Sequence, residues 1–219
     1  MAPDPVPGGR RAELGALAAS VRADLDAAHA AREVAVPASR EVIRATGRAI
    51  RATHLGEHDR ASELTTEAEA ALRRAQAAVA DHPRVAHSGP LHDAEKEFAE
   101  ARLTAALLGG SPLPGPADVG VEPAAWLRGL AEAATELRRS LLDAMRSGDL
   151  ARGEELLEVM DEIYEVLFAI DYPDAITSGL RRNVDALRAV LERTRGDVTT
   201  TVLQDRLRRS LDAVVDEID

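Results

Sequence analysis

Acidic residues at helical spacing are where this chain offers chemistry. Asp93, Glu97, Glu100 and Thr104 fall at i, i+4, i+7 and i+11, so in a helix they form one ridge. Leu91, Ala94, Phe98 and Ala105 occupy a different face. A second set, Glu132, Glu136 and Asp143 at i, i+4 and i+11, stands apart from an apolar stripe of Trp126, Leu130, Leu137 and Leu141. Like charges at i, i+4 destabilise a helix by a few tenths of a kcal/mol. Two such ridges face to face would form an all-oxygen cluster, which suits Mg²⁺ or Mn²⁺ rather than zinc. The competing reading is a solvated surface, because charges off the apolar face belong in water. Lys96, Arg128 and Arg139 also stand near enough to pair with these acids. On spacing alone the solvated surface is the stronger reading.

Other chemistries find less support. His54 and His58 lie at i, i+4, a metal-ligand spacing, but Gly56 between them marks a helix end and no further His-Asp set follows. No Glu-x-x-His occurs, which argues against a ferritin-like di-iron bundle. The chain has no cysteine, so disulfides, thiolate zinc sites and cysteine nucleophiles are excluded. Walker A, G-x-G-x-x-G and G-x-S-x-G motifs are absent. Arginines cluster at Arg138-Arg139, Arg181-Arg182, Arg193/Arg195 and Arg206/Arg208/Arg209, mostly with acids nearby, so ordinary surface pairing is the default. Aromatics for base stacking are nearly missing, and any RNA contact must be mostly to the backbone.

The elements that would position the ridges are helices. Aromatics are 2% of the 219 residues while Ala, Leu, Glu and Arg abound, and these are strong helix formers with few strand formers in competition. Residues 1–9, rich in proline, read as a disordered tail before a helical domain spanning 10–219. Leu14, Leu17, Val21 and Leu25 mark one face of a helix to about Glu33; Pro37 interrupts it, and a second stretch ends near Gly56. Asp59 opens a helix with the face Leu64, Ala68, Leu72 and Val79, closed by Pro83. Further helices are predicted over 91–108, stopped by Gly109-Gly110, and from Pro123 to about Ser147. Gly148-Asp149 pairs a C-terminal glycine with an N-cap aspartate before a helix over about 150–170. Stretches over about 178–194 and 199–215 are hinged at Gly196. The reading is all-α, one bundle of about seven helices, with alanine, leucine and valine building the core.

Charge and hydropathy bound the setting. With 27 basic and 38 acidic residues the net charge is −11, which argues against a simple DNA-coating protein. Lys96 is the only lysine, a bias that reads as a GC-rich genome rather than as function. No apolar run approaches the ~18 residues of a membrane span, and the N-terminus lacks the apolar core of a signal peptide. A cytoplasmic protein without membrane attachment is expected.

Several motifs together resemble the translin family, particularly its catalytic branch, translin-associated factor X, and the archaeal translin-like proteins. Asp93-Ala-Glu-Lys-Glu97-Phe-Ala-Glu100-Ala is similar to the family's E-Y/F-x-E-A. Trp126-Leu-Arg-Gly-Leu-Ala-Glu132-Ala-Ala-Thr-Glu136-Leu-Arg-Arg139 is similar to Y-L-x-G-x-x-D-x-x-G-E-L-x-R. Met160-Asp-Glu-Ile-Tyr164, Tyr172-Pro, the run from Leu180 to Arg188 and the run from Glu192 to Asp197 continue the match in order. The resemblance spans roughly residues 33 to 200.

It implies a seven-helix fold, assembly into a hollow octamer, and binding of single-stranded nucleic acid inside the shell. It also implies a Mg²⁺- or Mn²⁺-dependent endoribonuclease whose ligating and catalytic carboxylates are Glu97, Glu100, Glu132 and Glu136, acting on single-stranded RNA. Arg139, one turn beyond Glu136, is the candidate phosphate contact. Two departures stand out: Glu132 where the family has aspartate, and Thr135 where it has glycine. The alternative is a non-catalytic translin-like binder of single-stranded RNA or DNA. A helical scaffold with no nucleic-acid role comes third.

Overall fold

A computed structural model describes residues 9–86 and 89–216, and among these every regular element is a helix. Six are long: α1 (Gly9–His54), α2 (His58–Val79), α4 (Gly89–Gly109), α6 (Pro123–Ser147), α7 (Leu150–Phe168) and α9 (Leu180–Asp216). Three are single turns in the connections: α3 (Pro83–Ala86), α5 (Pro116–Val119) and α8 (Asp174–Thr177). The all-α expectation holds. The proline-rich tail expected over residues 1–9 lies, but for Gly9, outside the described residues.

The stop signals in the sequence act where glycine or proline chemistry is decisive. Pro123 opens α6, and Gly148 closes it in the left-handed region at φ 86°. The Asp149 side chain accepts from the Arg152 amide at 3.1 Å, capping α7. Two expected breaks are overridden. α1 runs through Pro37 without interruption, because Ala35, Ala38, Ser39 and Val42 around it are buried and their packing outweighs the lost hydrogen bond. α9 runs through Gly196 because buried Thr194 and Val198 on either side hold the helix. The two pairs of stretches expected around these residues are therefore two long helices.

Small residues set the packing. α1 lies chiefly against α2 and next against α4, with Ala38, Ala45 and Ala49 on one side and Ala68, Ala71 and Ala75 on the other. The apolar interior has a larger part, including Val42, Leu72, Phe98, Leu103, Leu130 and Leu187. A second part joins α6, α7 and α9 through Leu137, Leu141, Met160 and Leu191. Leu107, Val159 and Tyr164 pack against both. Alanine, leucine and valine do dominate, with Phe98 as the one fully buried aromatic ring among the described residues.

One amphipathic face departs from the usual logic. Leu14, Leu17, Val21 and Leu25 share a face as the spacing predicts, yet each is more than half exposed. Burial in α1 begins only at Ala31, and in α9 it ends at Val198. Both terminal helices project beyond the elements that could cover them.

Candidate metal centre

The two acidic ridges meet because α4 and α6 touch, and they touch because residue 129 is glycine. A Cβ there would lie 2.7 Å from the Ala99 Cβ and 2.9 Å from both the Glu100 amide nitrogen and the Lys96 carbonyl oxygen. No side chain fits such a crossing. One turn beyond it, Glu132 is carried opposite Glu97 and Glu100. Each of these three residues offers a carboxylate oxygen, and the three oxygens lie within 4.8 Å of one another. The solvated reading of this ridge is thereby corrected: Glu100 is buried at 7% exposure and Thr104 is fully buried. Asp93, at the outer end of the ridge, remains solvated, 3.8 Å from the Arg128 guanidinium.

Three carboxylates this close carry more negative charge than the cleft can hold. The pKa of Glu100 is pushed up to about 9, first by burial and then by the neighbouring charges of Glu132 and Glu97. Lys96 supplies the only nearby ammonium, donating to Glu132 Oε2 at 2.5 Å and to Glu97 Oε1 at 2.9 Å. Burial by itself would lower the Lys96 pKa, but these two carboxylates outweigh it and the net shift is upward. Asn183 from α9 donates to Glu132 Oε1 at 2.8 Å and accepts from Arg128 Nε at 3.3 Å. Glu132 thus spans the cleft despite standing where the related motif has aspartate.

Glu136 is placed differently. Its Oε2 lies 2.8 Å from His54 Nε2, and the three-oxygen group does not include it. A carboxylate can only accept, so Nε2 carries the proton. The His54 side chain is 2% exposed, and its Nδ1 lies 3.2 Å from Ser140 Oγ. His58 is exposed and lines the same open cavity as His54, whose two ring nitrogens already face Glu136 and Ser140. Thr135 donates its hydroxyl to the Ala131 carbonyl at 3.1 Å and so fits the helix where the related motif has glycine. Arg139 is exposed beside Glu136 in an open cavity also lined by Arg138, Asp143 and Arg146, and forms no ion pair among the described residues.

The donors that Glu97, Glu100 and Glu132 offer are all oxygen, the ligand type that hard divalent cations take. Metal–oxygen distances of about 2.0–2.1 Å place ligand oxygens roughly 3–4 Å apart, so small side-chain rotations suffice. The His54 and Asn183 contacts were not foreseen. Both join positions far apart in sequence, and only the helix order reveals them.

The class defined here is an all-helical bundle whose carboxylates gather between two helices touching at a glycine. Solved structures share it. Over 84% of this chain and 96% of theirs, two structures of AfC3PO, one of them a complex with duplex RNA, match with a TM-score of 0.77 and 32% sequence identity. The apo structure of NeC3PO matches in fold, with a TM-score of 0.73 at 13% identity, over 91% of this chain and all of that one. By this relationship to the translin-like AfC3PO, the chain belongs to the translin family. An uncharacterized protein of Methanocaldococcus jannaschii is 38% identical over 89 residues, which is 41% of this chain and only 40% of that relative's length. No protein-family model matches the chain.

Proposed function

We propose that this protein binds RNA and cleaves it with a divalent cation held by Glu97, Glu100 and Glu132. The observation that carries this reading is the convergence of three carboxylates in a cleft that leaves Glu100 holding a proton at neutral pH. A cluster so short of positive charge is poised to exchange that proton for Mg²⁺ or Mn²⁺. When bound, such an ion activates water and stabilises charge on a phosphodiester. The chain's own groups have separate tasks. Glu132 is held in place by Asn183 and Lys96, and Glu136 is held at the cleft by His54. Arg139, unpaired beside Glu136, is the phosphate contact. RNA as the partner is supported by AfC3PO, which has been solved with duplex RNA at 32% identity. Single-stranded RNA is the substrate we favour, and single-stranded DNA is a further ligand.

A shell of several copies, an octamer by the family resemblance, belongs to the same reading. The exposed faces of α1 (Leu14, Leu17, Val21, Leu25) and α9 (Leu203, Leu207, Leu211, Val214, Val215) support it. Each is a row of large apolar side chains left more than half exposed, and contiguous exposed apolar surface marks interaction sites. The occupant we assign is a second copy of this chain.

One observation favours the non-catalytic alternative: the Lys96 ammonium already bridges two of the three carboxylates and offsets one of their charges. Calorimetric titration with Mn²⁺ separates the readings. Saturable binding that disappears in a Glu97→Ala/Glu100→Ala double variant is expected. Absence of binding by the parental protein would leave an RNA-binding module without a metal.

A further inference from the structure

On α1, Arg40, Arg44, Arg48 and Arg51 follow one another at i, i+4, i+8 and i+11. At 100° per residue they share about 80° of the helix circumference, and they span roughly 16 Å of its axis. All four are exposed, and among the described residues none forms an ion pair or a hydrogen bond through its side chain. Their neighbours behave differently. Arg60 pairs with Glu63, Arg73 with Glu69, and Arg74 reaches across from α2 to Glu41. No aspartate or glutamate occurs from residue 42 to residue 56, and Glu41, three residues before Arg44, is paired with Arg74. Like charges one turn apart repel and cost the helix a few tenths of a kcal/mol for each pair. In a protein of net charge −11 that pairs so many of its arginines, an unpaired run of four is a local inversion of the whole.

Gly47 flanks this face, about 20° outside its edge. It is exposed, and a Cβ there would meet nothing within 4 Å, so packing does not require it. A glycine in a helix interior costs about 1 kcal/mol relative to alanine. Here it leaves bare backbone between Arg44 and Arg51, where a strand can lie close. The ridge ends three residues before His54, which holds Glu136, one turn along α6 from Glu132.

We infer that this arginine ridge is a docking track for the phosphate backbone of an RNA strand, feeding that strand toward the carboxylates of α4 and α6. The inference rests on the RNA-binding reading above and adds the surface that does the binding. The contact is electrostatic and sequence-independent, since four guanidinium groups reach phosphates while no aromatic ring is available on the ridge for base stacking.

Binding of fluorescein-labelled oligo(U) is measured by anisotropy in EDTA, across a range of salt, for three proteins. These are the parental chain, a variant with Arg40, Arg44, Arg48 and Arg51 all changed to Gln, and Gly47→Glu. The last keeps every arginine but sets a carboxylate among them. Each phosphate neutralised on a single strand contributes about −0.7 to the slope of log K against log salt, so the quadruple variant should lose about 2.8 of that slope. At 0.1 M salt this amounts to a loss of a few hundredfold in affinity. Gly47→Glu should also weaken binding and flatten the slope, with its helix content by circular dichroism retained. Parental slope and affinity in both variants would overturn the docking track while leaving RNA binding standing. A parental protein that binds no oligo(U) would overturn both. Retention of the ridge variants' RNA binding alongside loss of binding to phosphatidylserine vesicles would assign the ridge to a membrane surface instead.

Discussion

Glu100 is the residue at which the site's chemistry becomes measurable. Its pKa is pushed up to about 9 by burial and by Glu132 and Glu97, while in the unfolded chain it titrates near the ordinary 4.5. Between those values the folded state holds a proton that the unfolded state has lost, so stability falls as pH rises through that window. Below about 4.5 this contribution is fully present, and above about 9 it is gone. Glu100→Gln removes the titration. Without divalent cations, urea unfolding of the variant should depend less on pH between 5 and 8.5, and near pH 8 the variant should be the more stable protein. An unchanged pH dependence would contradict the crowded cleft. At this scale the sequence named Glu97, Glu100, Glu132 and Glu136; the structure brings the first three together and sets Glu136 against His54 instead. Lys96 was expected to pair with these acids, and it does. The burial of Glu100 was not legible, because the spacing of a ridge on its own helix does not say which helix lies opposite. The hold of His54 on Glu136 was equally hidden, since 82 positions separate them.

Gly129 decides the site at the scale of elements. The Cβ of Gly129→Ala would press on the Glu100 amide and the Lys96 carbonyl, which are backbone and cannot turn aside. Forcing α4 and α6 apart should cost about 1–3 kcal/mol of stability. It should also weaken Mn²⁺ binding, since Glu132 is moved away from Glu97 and Glu100. Thermal unfolding together with the calorimetric titration checks both effects, and full retention of metal affinity would refute the role given to this crossing. Helix ends written in local chemistry were legible: Gly148-Asp149 and Pro123 act as read. Pro37 and Gly196 were misleading, because a break is a local preference of a few kcal/mol at most and each lies beside residues buried by other helices.

For the whole molecule, the sequence pattern showed that Leu14, Leu17, Val21 and Leu25 share a face, but not that the face is uncovered. Periodicity reports that a face is apolar, and only the arrangement of the other helices tells whether this chain or another copy buries it. If second copies cover these helices, light scattering at micromolar concentration should report a multimer, and Leu17→Glu/Leu207→Glu should lower its mass while helix content is kept. A parental monomer would contradict the assembly. The family was legible from the order of the motifs, and the similarity to AfC3PO establishes it.

The central claim, a metal-dependent ribonuclease built on α4 and α6, is tested most directly by cleavage. Labelled single-stranded RNA is incubated with purified protein in Mg²⁺, Mn²⁺ or EDTA, beside the Glu97→Ala/Glu100→Ala variant purified in the same way. Cleavage in Mg²⁺ or Mn²⁺ that is abolished by EDTA and lost in the variant is the predicted result. RNA bound but left intact in every metal, or cut equally by the variant, would contradict the account.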